Sequence, residues 1–281
     1  MSPSSDSVID SPAAHRLWRN ARCWGPALLL ALSLACVKTA DADLTIRGLL
    51  VTHSGPVVDT LEWTMQLKGP NLRRGLEGKG TLADFLGRRL EILNRTTGES
   101  ALLDLDAGTC TRSSGGPTDC HPWYLFDLRW LGRRPSGSAA DLALPDTTIT
   151  VLGVRARAFE FRIPARQEGG STVRFWVVND LDSLFGPAGA QSLYCGPPGA
   201  GSDRGVATDL SKRFALTSEA AERLGQVPLG YPVRIESFLG EGPERLELSR
   251  FETISVEHTA LPDSLFAVPS SCQPASAQGG R

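Results

Sequence analysis

The chain has 281 residues, 41% of them hydrophobic, and its 29 basic and 31 acidic residues give a formal net charge of −2. This balance argues against a protein that binds nucleic acid or anionic membranes, because such proteins present a clustered basic face. The length and the hydrophobic fraction are enough for one large β domain or two small domains.

The N-terminal region has the pattern of an export signal. Basic residues within 15–22 precede the apolar run 26–37, and Ala-Asp-Ala at 40–42 has small residues where a signal peptidase cleaves. The apolar run is shorter than the roughly 20 residues that a membrane-spanning helix needs. We therefore interpret residues 1–42 as a polar leader and a signal peptide. The mature chain, cleaved near Ala42, is expected in the periplasm or outside the cell, without a membrane span.

A second interpretation of the same region is a lipoprotein signal. Cys36 lies at the end of the apolar run, where a bacterial lipoprotein carries its lipidated cysteine. Such a signal has Leu or a similar aliphatic residue three positions earlier, and here that position is Ser33. Soluble export fits the motif better, and a lipid anchor through Cys36 stays as the alternative.

Alternating apolar and polar residues predict β-strands through most of the mature chain. In chain order the predicted strands are one that opens at 44–47, then 61–68, 90–93, 101–105, 149–163, 173–178, 233–239 and 246–257. Turn residues separate them: Ser-Gly-Pro at 54–56 follows the first strand, and Gly-Glu-Gly-Pro at 240–243 joins the last two. Gly153 interrupts the longest run, where a bulge or bend is expected.

Only one region has helical periodicity. Apolar residues recur at helical spacing within 209–225, and Gly225 stands where a helix C-cap belongs. Thr217 or Ser218 is expected to cap a second short helix inside this segment. The predicted fold is therefore mainly β with one helical insertion.

The remaining stretches are predicted to be irregular. Long loops are expected over 113–143 and 183–205, and a flexible tail over 270–281. Residues 43–269 then form a single antiparallel β domain of eight to ten strands. An antiparallel barrel, a half-barrel and a sandwich all agree with this pattern.

Four cysteines remain after the signal: Cys110, Cys120, Cys195 and Cys272. An even number in an oxidising compartment favours two disulfides. Cys110 and Cys120 flank a Ser/Gly/Pro-rich turn, so we predict a local bond between them and a second bond between Cys195 and Cys272. In the alternative, all four are reduced and buried. The sequence has no Cys-x-x-Cys motif, so zinc and thioredoxin-like chemistry are not indicated.

The sequence contains no familiar catalytic or metal-binding motif. A His-Glu-x-x-His helix, a Gly-x-Ser-x-Gly turn and a phosphate-binding loop are all absent. We therefore predict no catalytic residue, no metal site and no cofactor, and a hydrolase with a dispersed site is a third alternative. The aromatic stretch 121–126, with Trp130, either lines a hydrophobic cavity or packs as core.

Short motifs along the mature chain resemble those of an uncharacterised family of exported bacterial proteins grouped with the LolA/LolB-like lipoprotein carriers. The motifs are DLT at 43–45, GVRARAF at 153–159, FWV at 175–177, GYPVRIE at 230–236 and LPDSLFAVP at 261–269. The resemblance implies a curved antiparallel half-barrel with a helix on its concave side, and in the carriers this side holds acyl chains. It implies no catalytic residues.

We predict a binding module with an apolar concave face for a lipid or another hydrophobic envelope component. Five residues at strand positions that alternation places inward are expected to line it: Trp63, Met65, Phe159, Phe161 and Trp176. Such residues are core in any β protein. The alternative is therefore a structural or interaction protein of the envelope with a filled core and no small ligand, which binds another envelope protein.

Overall fold

A computed structural model describes residues 43–79, 88–114, 121–126, 139–164, 170–194, 203–240 and 244–274. The predicted export signal, with the predicted cleavage site and Cys36, lies outside these residues.

The described residues form one curved, mostly antiparallel sheet that does not close into a barrel. Its thirteen strands are β1 (Leu44–Ser54), β2 (Val57–Lys68), β3 (Asn71–Lys79), β4 (Arg89–Asn94), β5 (Ser100–Asp104), β6 (Thr109–Ser113), β7 (Asp141–Ala143), β8 (Thr148–Val151), β9 (Val154–Ile163), β10 (Ser171–Val178), β11 (Tyr231–Leu239), β12 (Leu246–His258) and β13 (Gln273–Pro274). Their order is β13-β6-β5-β4-β3-β2-β1-β12-β11-β10-β9-β7, and β8 also pairs with β9. The predicted fold class, a mainly β antiparallel half-barrel, is confirmed.

The strands that sequence alternation predicted are all present, and further strands join them. The β1–β2 turn contains Gly55 with a φ of 63°, and β8 and β9 meet at Gly153 with a φ of 80°, so the expected bend is a tight turn. Strands β3 and β6 were not predicted, and neither were β7, in the predicted loop over 113–143, and β13, in the predicted flexible tail over 270–281. Gly75 and several charged residues break the alternation in β3, and β6 is short and polar.

Three helices lie between β10 and β11: α1 (Leu181–Leu193), α2 (Asp203–Phe214) and α3 (Ser218–Leu224). The predicted helical insertion is present, and Thr217 caps α3 by accepting a hydrogen bond from the backbone N–H of Ala220. The predicted loop over 183–205 is wrong where α1 extends to Leu193. Gly186, with a φ of 67°, and Pro187 kink α1 and hide its helical pattern. Within the described ranges, each helix is too short or too polar to cross a membrane.

The helices pack on one face of the sheet, which we call the covered face. Apolar side chains on this face lie in register across six neighbouring strands: Phe159, Phe175, Ile235, Phe251, Leu50 and Leu61. Phe214 of α2 stacks on Phe161 of β9 with 4.1 Å between ring centroids, and Phe185 of α1 meets Tyr231 of β11 at 4.9 Å. The hydrophobic core therefore lies between the sheet and the helices. We call the opposite side of the sheet the charged face.

One disulfide joins Cys110 on β6 to Cys272 beside β13. The predicted pairings, Cys110 with Cys120 and Cys195 with Cys272, are therefore wrong. The prediction favoured partners near in sequence, but the sheet brings the C-terminal segment alongside β6, the outermost long strand. Cys120 and Cys195 lie outside the described residues.

Candidate functional site

Four of the five residues predicted to line an apolar cavity lie on the covered face, in the core. Trp63, Met65, Phe159 and Phe161 each keep 2% or less of their surface exposed. Trp63 stacks on Phe251 with 4.5 Å between ring centroids. A side chain that lined an open cavity would keep accessible surface toward that cavity. The chain's own atoms therefore occupy the space in front of these four residues.

Trp176 lies on the charged face, so the expectation that it shares a face with Phe159 and Phe161 is wrong. Its cross-strand partner on β9 is Ala158, whereas Phe175 pairs with Phe159. The indole Nε1 of Trp176 donates a 2.8 Å hydrogen bond to a carboxylate oxygen of Glu236. Strand β10 is buried on both faces, and in such a strand an apolar residue does not identify the inward side.

The aromatic stretch 121–126 packs as core on the covered face. Trp123 is 2% exposed and packs against both Phe159 and Phe175, with ring centroids 5.9 and 5.0 Å away. Phe126 meets Trp63 edge-on at 6.0 Å. Of the two interpretations of this stretch, the structural one agrees with the packing. Trp130 lies outside the described residues.

A histidine and an aspartate meet at the start of this stretch. His121 Nε2 lies 2.8 Å from Asp203 Oδ1, and His121 Nδ1 accepts a 3.3 Å hydrogen bond from the backbone N–H of Trp123. The imidazole is fully buried, so a substrate has no access to it. The pair holds the 3-10 turn Pro122–Leu125 against α2. Among the described residues, no group of three or more His, Cys, Asp or Glu side chains is arranged to hold a metal ion.

Arg95 anchors the covering helices to the sheet, a role that sequence reasoning missed. Its guanidinium donates hydrogen bonds to the carbonyl oxygens of Ser192 (2.7 Å) and Leu193 (2.8 Å) at the end of α1, and of Gly69 (2.9 Å) in the β2–β3 turn. Burial lowers the pKa of Arg95 to about 10, so it remains charged at neutral pH. A cation at a helix C-terminus also suits the helix dipole.

The charged face carries a row of alternating charges. Glu160, Arg174, Glu236 and Arg250 are successive cross-strand partners on β9, β10, β11 and β12. Arg174 Nε donates a 2.7 Å hydrogen bond to Glu160, and its Nη1 lies 3.8 Å from Glu236. Glu160 is only 3% exposed. The row therefore keeps a carboxylate out of water by pairing it.

Glu160 is held in its charged form by its neighbours. Burial disfavours the carboxylate, but hydrogen bonds and charges from Arg174 and Arg162 outweigh that effect, and the pKa of Glu160 lies below its ordinary value. The guanidinium of Arg245 lies 3.7 Å from the same carboxylate and stacks over Phe238 at 3.9 Å. Three arginine side chains thus surround the Glu160 carboxylate.

A cleft and a groove open on the surface. The cleft, of about 270 Å³, lies between the β7–β8 connection and β9, with Phe159 and Val177 below and Asp146 and Arg157 among its lining residues. Ligand sites typically occupy about 300–1,000 Å³, so it is small. The groove, of about 500 Å³, runs between α2 and α3. Each is lined by a mixture of polar and apolar residues.

Exposed aliphatic side chains gather at one end of the sheet, where the β1–β2 and β11–β12 turns lie side by side. We call this the hairpin end. Val57, Val58, Leu239 and Leu246 are each 45–56% exposed there. Leu239 and Leu246 are cross-strand partners, and β1 pairs with β12. An ion pair between His53 and Glu247, 3.6 Å apart, borders them.

Comparison with known proteins gives structural similarities only. No family model and no curated protein sequence matches the chain. Among solved structures, the MucA/MucB complex of Pseudomonas aeruginosa is 13% identical over 83% of this chain and 59% of that chain, with a TM-score of 0.34. This chain thus spans less than two thirds of that one.

Two further solved structures cover most of both chains. A DUF1329 family protein from Desulfovibrio piger is 12% identical over 85% of this chain and 94% of its own, with a TM-score of 0.31. A LolA superfamily protein from Nitrosomonas europaea is 11% identical over 81% of this chain and 91% of its own, with a TM-score of 0.28. The structures similar to this chain thus include the group that its sequence resembles, at similarities too low to establish a shared family or function.

Proposed function

We propose that this chain is an interaction protein of the cell envelope, exported by its N-terminal signal, which binds another envelope protein and holds no lipid in its core. The observation that carries the proposal is the filled covered face. Trp63, Met65, Phe159 and Phe161 are enclosed by the chain's own side chains, and Arg95 fixes α1 over them.

The hairpin end is the proposed contact surface. Half-exposed aliphatic side chains on two adjacent hairpins, bordered by an ion pair, have the composition of a small interface, with an apolar centre and a polar rim. The partner is expected to place apolar side chains against Val58 on one side of the hairpins and Leu246 on the other. Exposed apolar groups that lie together mark interaction sites more often than single ones do.

Native mass spectrometry of the mature protein purified from the envelope, followed by organic extraction, tests the filled core. We expect the mass of the chain alone and no lipid in the extract, because the ring stacking leaves no room for an acyl chain. A lipid that copurifies at a near-stoichiometric ratio would overturn the proposal and support an apolar carrier.

A photo-crosslinking amino acid tests the contact surface in intact cells. Placed at Val58, it is expected to give one discrete adduct with an envelope protein. Placed at Leu144, which is similarly exposed (45%) but lies on the β7–β8 connection, it is expected to give none. Leu246→Asp should abolish the Val58 adduct, and Leu144→Asp should leave it unchanged. Equal adducts from Val58 and Leu144 would count against the hairpin end.

A further inference from the structure

Among the residues that the structure describes, the sheet edge formed by β6 is only partly covered. Strand β6 runs from Thr109 to Ser113, and its outer neighbour β13 pairs with just two of its residues, Thr111 and Arg112. Every residue of β6 except Cys110 is exposed. An edge strand with free backbone groups is a template for pairing with another strand, so proteins usually cover such edges.

In the described part of the chain, the disulfide and a two-residue pairing hold strand β13 against β6. It consists of Gln273 and Pro274, both exposed, and Pro274 has no backbone N–H to donate. The preceding Ser271 is exposed as well. Because the short pairing contributes so few hydrogen bonds, the bond from Cys272 to Cys110 is what keeps the C-terminal segment on the edge.

We infer that the β6 edge is a strand-pairing site for a second copy of this chain, and that the Cys110–Cys272 disulfide keeps it closed. Two β6 strands related by a twofold axis would pair antiparallel, the arrangement that identical edges allow. Centred on Thr111, the pairing sets Arg112 of one copy opposite Cys110 of the other. No like charges then face each other, since Arg112 is the only charged residue of β6.

The side chains around this edge favour such a pairing. Thr109 and Thr111 are β-branched and suit a strand. Leu102 on β5 is the cross-strand partner of Thr111 and is 46% exposed, so the row of side chains that ends at this edge is partly apolar. Glu99 and Arg112 form an ion pair at 3.2 Å that leaves the guanidinium half exposed. The inference is independent of the hairpin end, which lies on other strands.

Opening the edge is a thiol–disulfide exchange. An added dithiol attacks the Cys110–Cys272 bond, a mixed disulfide forms, and the second thiol of the reagent displaces the remaining sulfur as a thiol. The reagent leaves as a cyclic disulfide, and Cys110 and Cys272 each gain one hydrogen. The C-terminal segment is then tied to the edge only by the short β13 pairing.

The test is sedimentation of the mature chain across a range of concentrations. The oxidised protein is expected to be a monomer, and Cys272→Ser is expected to form a dimer with an association constant at least tenfold higher. Treating the unaltered protein with dithiothreitol should give the same shift, which guards against a folding defect in the variant. Circular dichroism should be the same before and after.

Two substitutions at the centre of the pairing make the test specific. In the Cys272→Ser background, Thr111→Lys should abolish the dimer, because it places two like charges opposite each other. Thr111→Val, which keeps the shape and the β-branching, should retain it. A Cys272→Ser protein that stays monomeric, or a dimer that survives Thr111→Lys, would overturn the inference.

Discussion

The two faces of the sheet reach similar burial at their centres by different chemistry. On the covered face, Phe159 is 2% exposed because aromatic rings and helices close over it. On the charged face, Glu160 is 3% exposed because arginine side chains pair with it. Burial alone therefore does not distinguish a core position from a paired charge. The cross-strand neighbours of a residue distinguish the two cases.

Removing Arg95 should break the covered face most severely. Arg95→Met leaves the carbonyl groups of Ser192 and Leu193 without their donor, and we expect the free energy of unfolding to fall by about 3–5 kcal/mol. Urea denaturation measures this. Arg95→Lys keeps the charge but lacks the planar fork, so an intermediate loss is expected. Arg89→Met, at an exposed site, is the control, and an equal loss there would contradict the role of Arg95.

Gly48 allows the Trp63 ring to lie across β1. A Cβ atom at position 48 would come within 2.3 Å of the Trp63 ring and of the Glu252 carbonyl oxygen. Gly48→Ala should therefore destabilise the fold by roughly 1–3 kcal/mol through overpacking. At Gly75 the nearest atoms would be 3.5 Å away, so Gly75→Ala is the matched control and should cost much less. Thermal unfolding of both variants decides whether the close approach matters.

Glu160→Gln tests the charged face and its pH dependence. Removing the carboxylate leaves Arg174 without its closest partner, and a loss of about 2 kcal/mol is expected, less than for a fully buried pair because the arginines still reach water. The pKa of Glu160 lies below its ordinary value of 4.5, so the carboxylate stabilises the fold above that pH. This contribution is lost as the pH falls below 4.5 through the folded-state pKa.

Denaturation at pH 7 and at successively lower pH checks this sign. The unaltered protein should lose stability in acid more steeply than Glu160→Gln, which lacks the titrating group. Glu257→Gln is the control, because its pairing with Arg47 is 3.8 Å long and exposed and should contribute little. Parallel acid profiles for Glu160→Gln and the unaltered protein would show that Glu160 does not carry this dependence.

The smallest expected effect is the loss of hydrogens from the intact mass when disulfides form, and disulfide mapping locates these bonds. Of the four cysteines that follow the predicted signal, the Cys110–Cys272 bond leaves Cys120 and Cys195 as the second pair. Their described neighbours, His121 and Tyr194, lie with ring centroids 5.8 Å apart on the covered face. Peptide mapping without reduction is expected to find Cys120 linked to Cys195. Two free thiols at these positions would contradict this expectation.

Sequence periodicity predicted the elements whose burial is one-sided. Strand β2 alternates between buried and partly exposed residues along 61–68, which is why its pattern was readable. Strand β10 is buried on both faces, so its pattern did not show which face carries Trp176. Helix α1 was missed because Gly186 and Pro187 are poor helix formers, although tertiary packing holds them there.

The candidate sites depended on contacts between distant parts of the chain. Arg95 sits in a polar turn, Asn-Arg-Thr-Thr-Gly, which looks like an ordinary surface loop. Its partners at the end of α1 lie nearly one hundred positions away, with a sequence separation of 98 to Leu193. The pairing of Cys110 with Cys272 spans 162 positions. Neither the Arg95 contacts nor the disulfide pairing leaves a pattern in the local sequence, so both become visible only in the folded chain.

The place of β1 in the sheet has a consequence for the order of folding. Strand β1, the first described strand, lies between β2 and β12, and Leu44 pairs with His258. As the chain emerges from the ribosome, the first six strands can form their hairpins early, but β1 lacks its second neighbour until β12 has been synthesised. Contacts so distant in sequence form slowly. The nascent chain therefore stays incompletely folded, with β1 unpaired on one side, until almost all of it has been synthesised. A polypeptide in this incompletely folded state can still pass through a narrow channel.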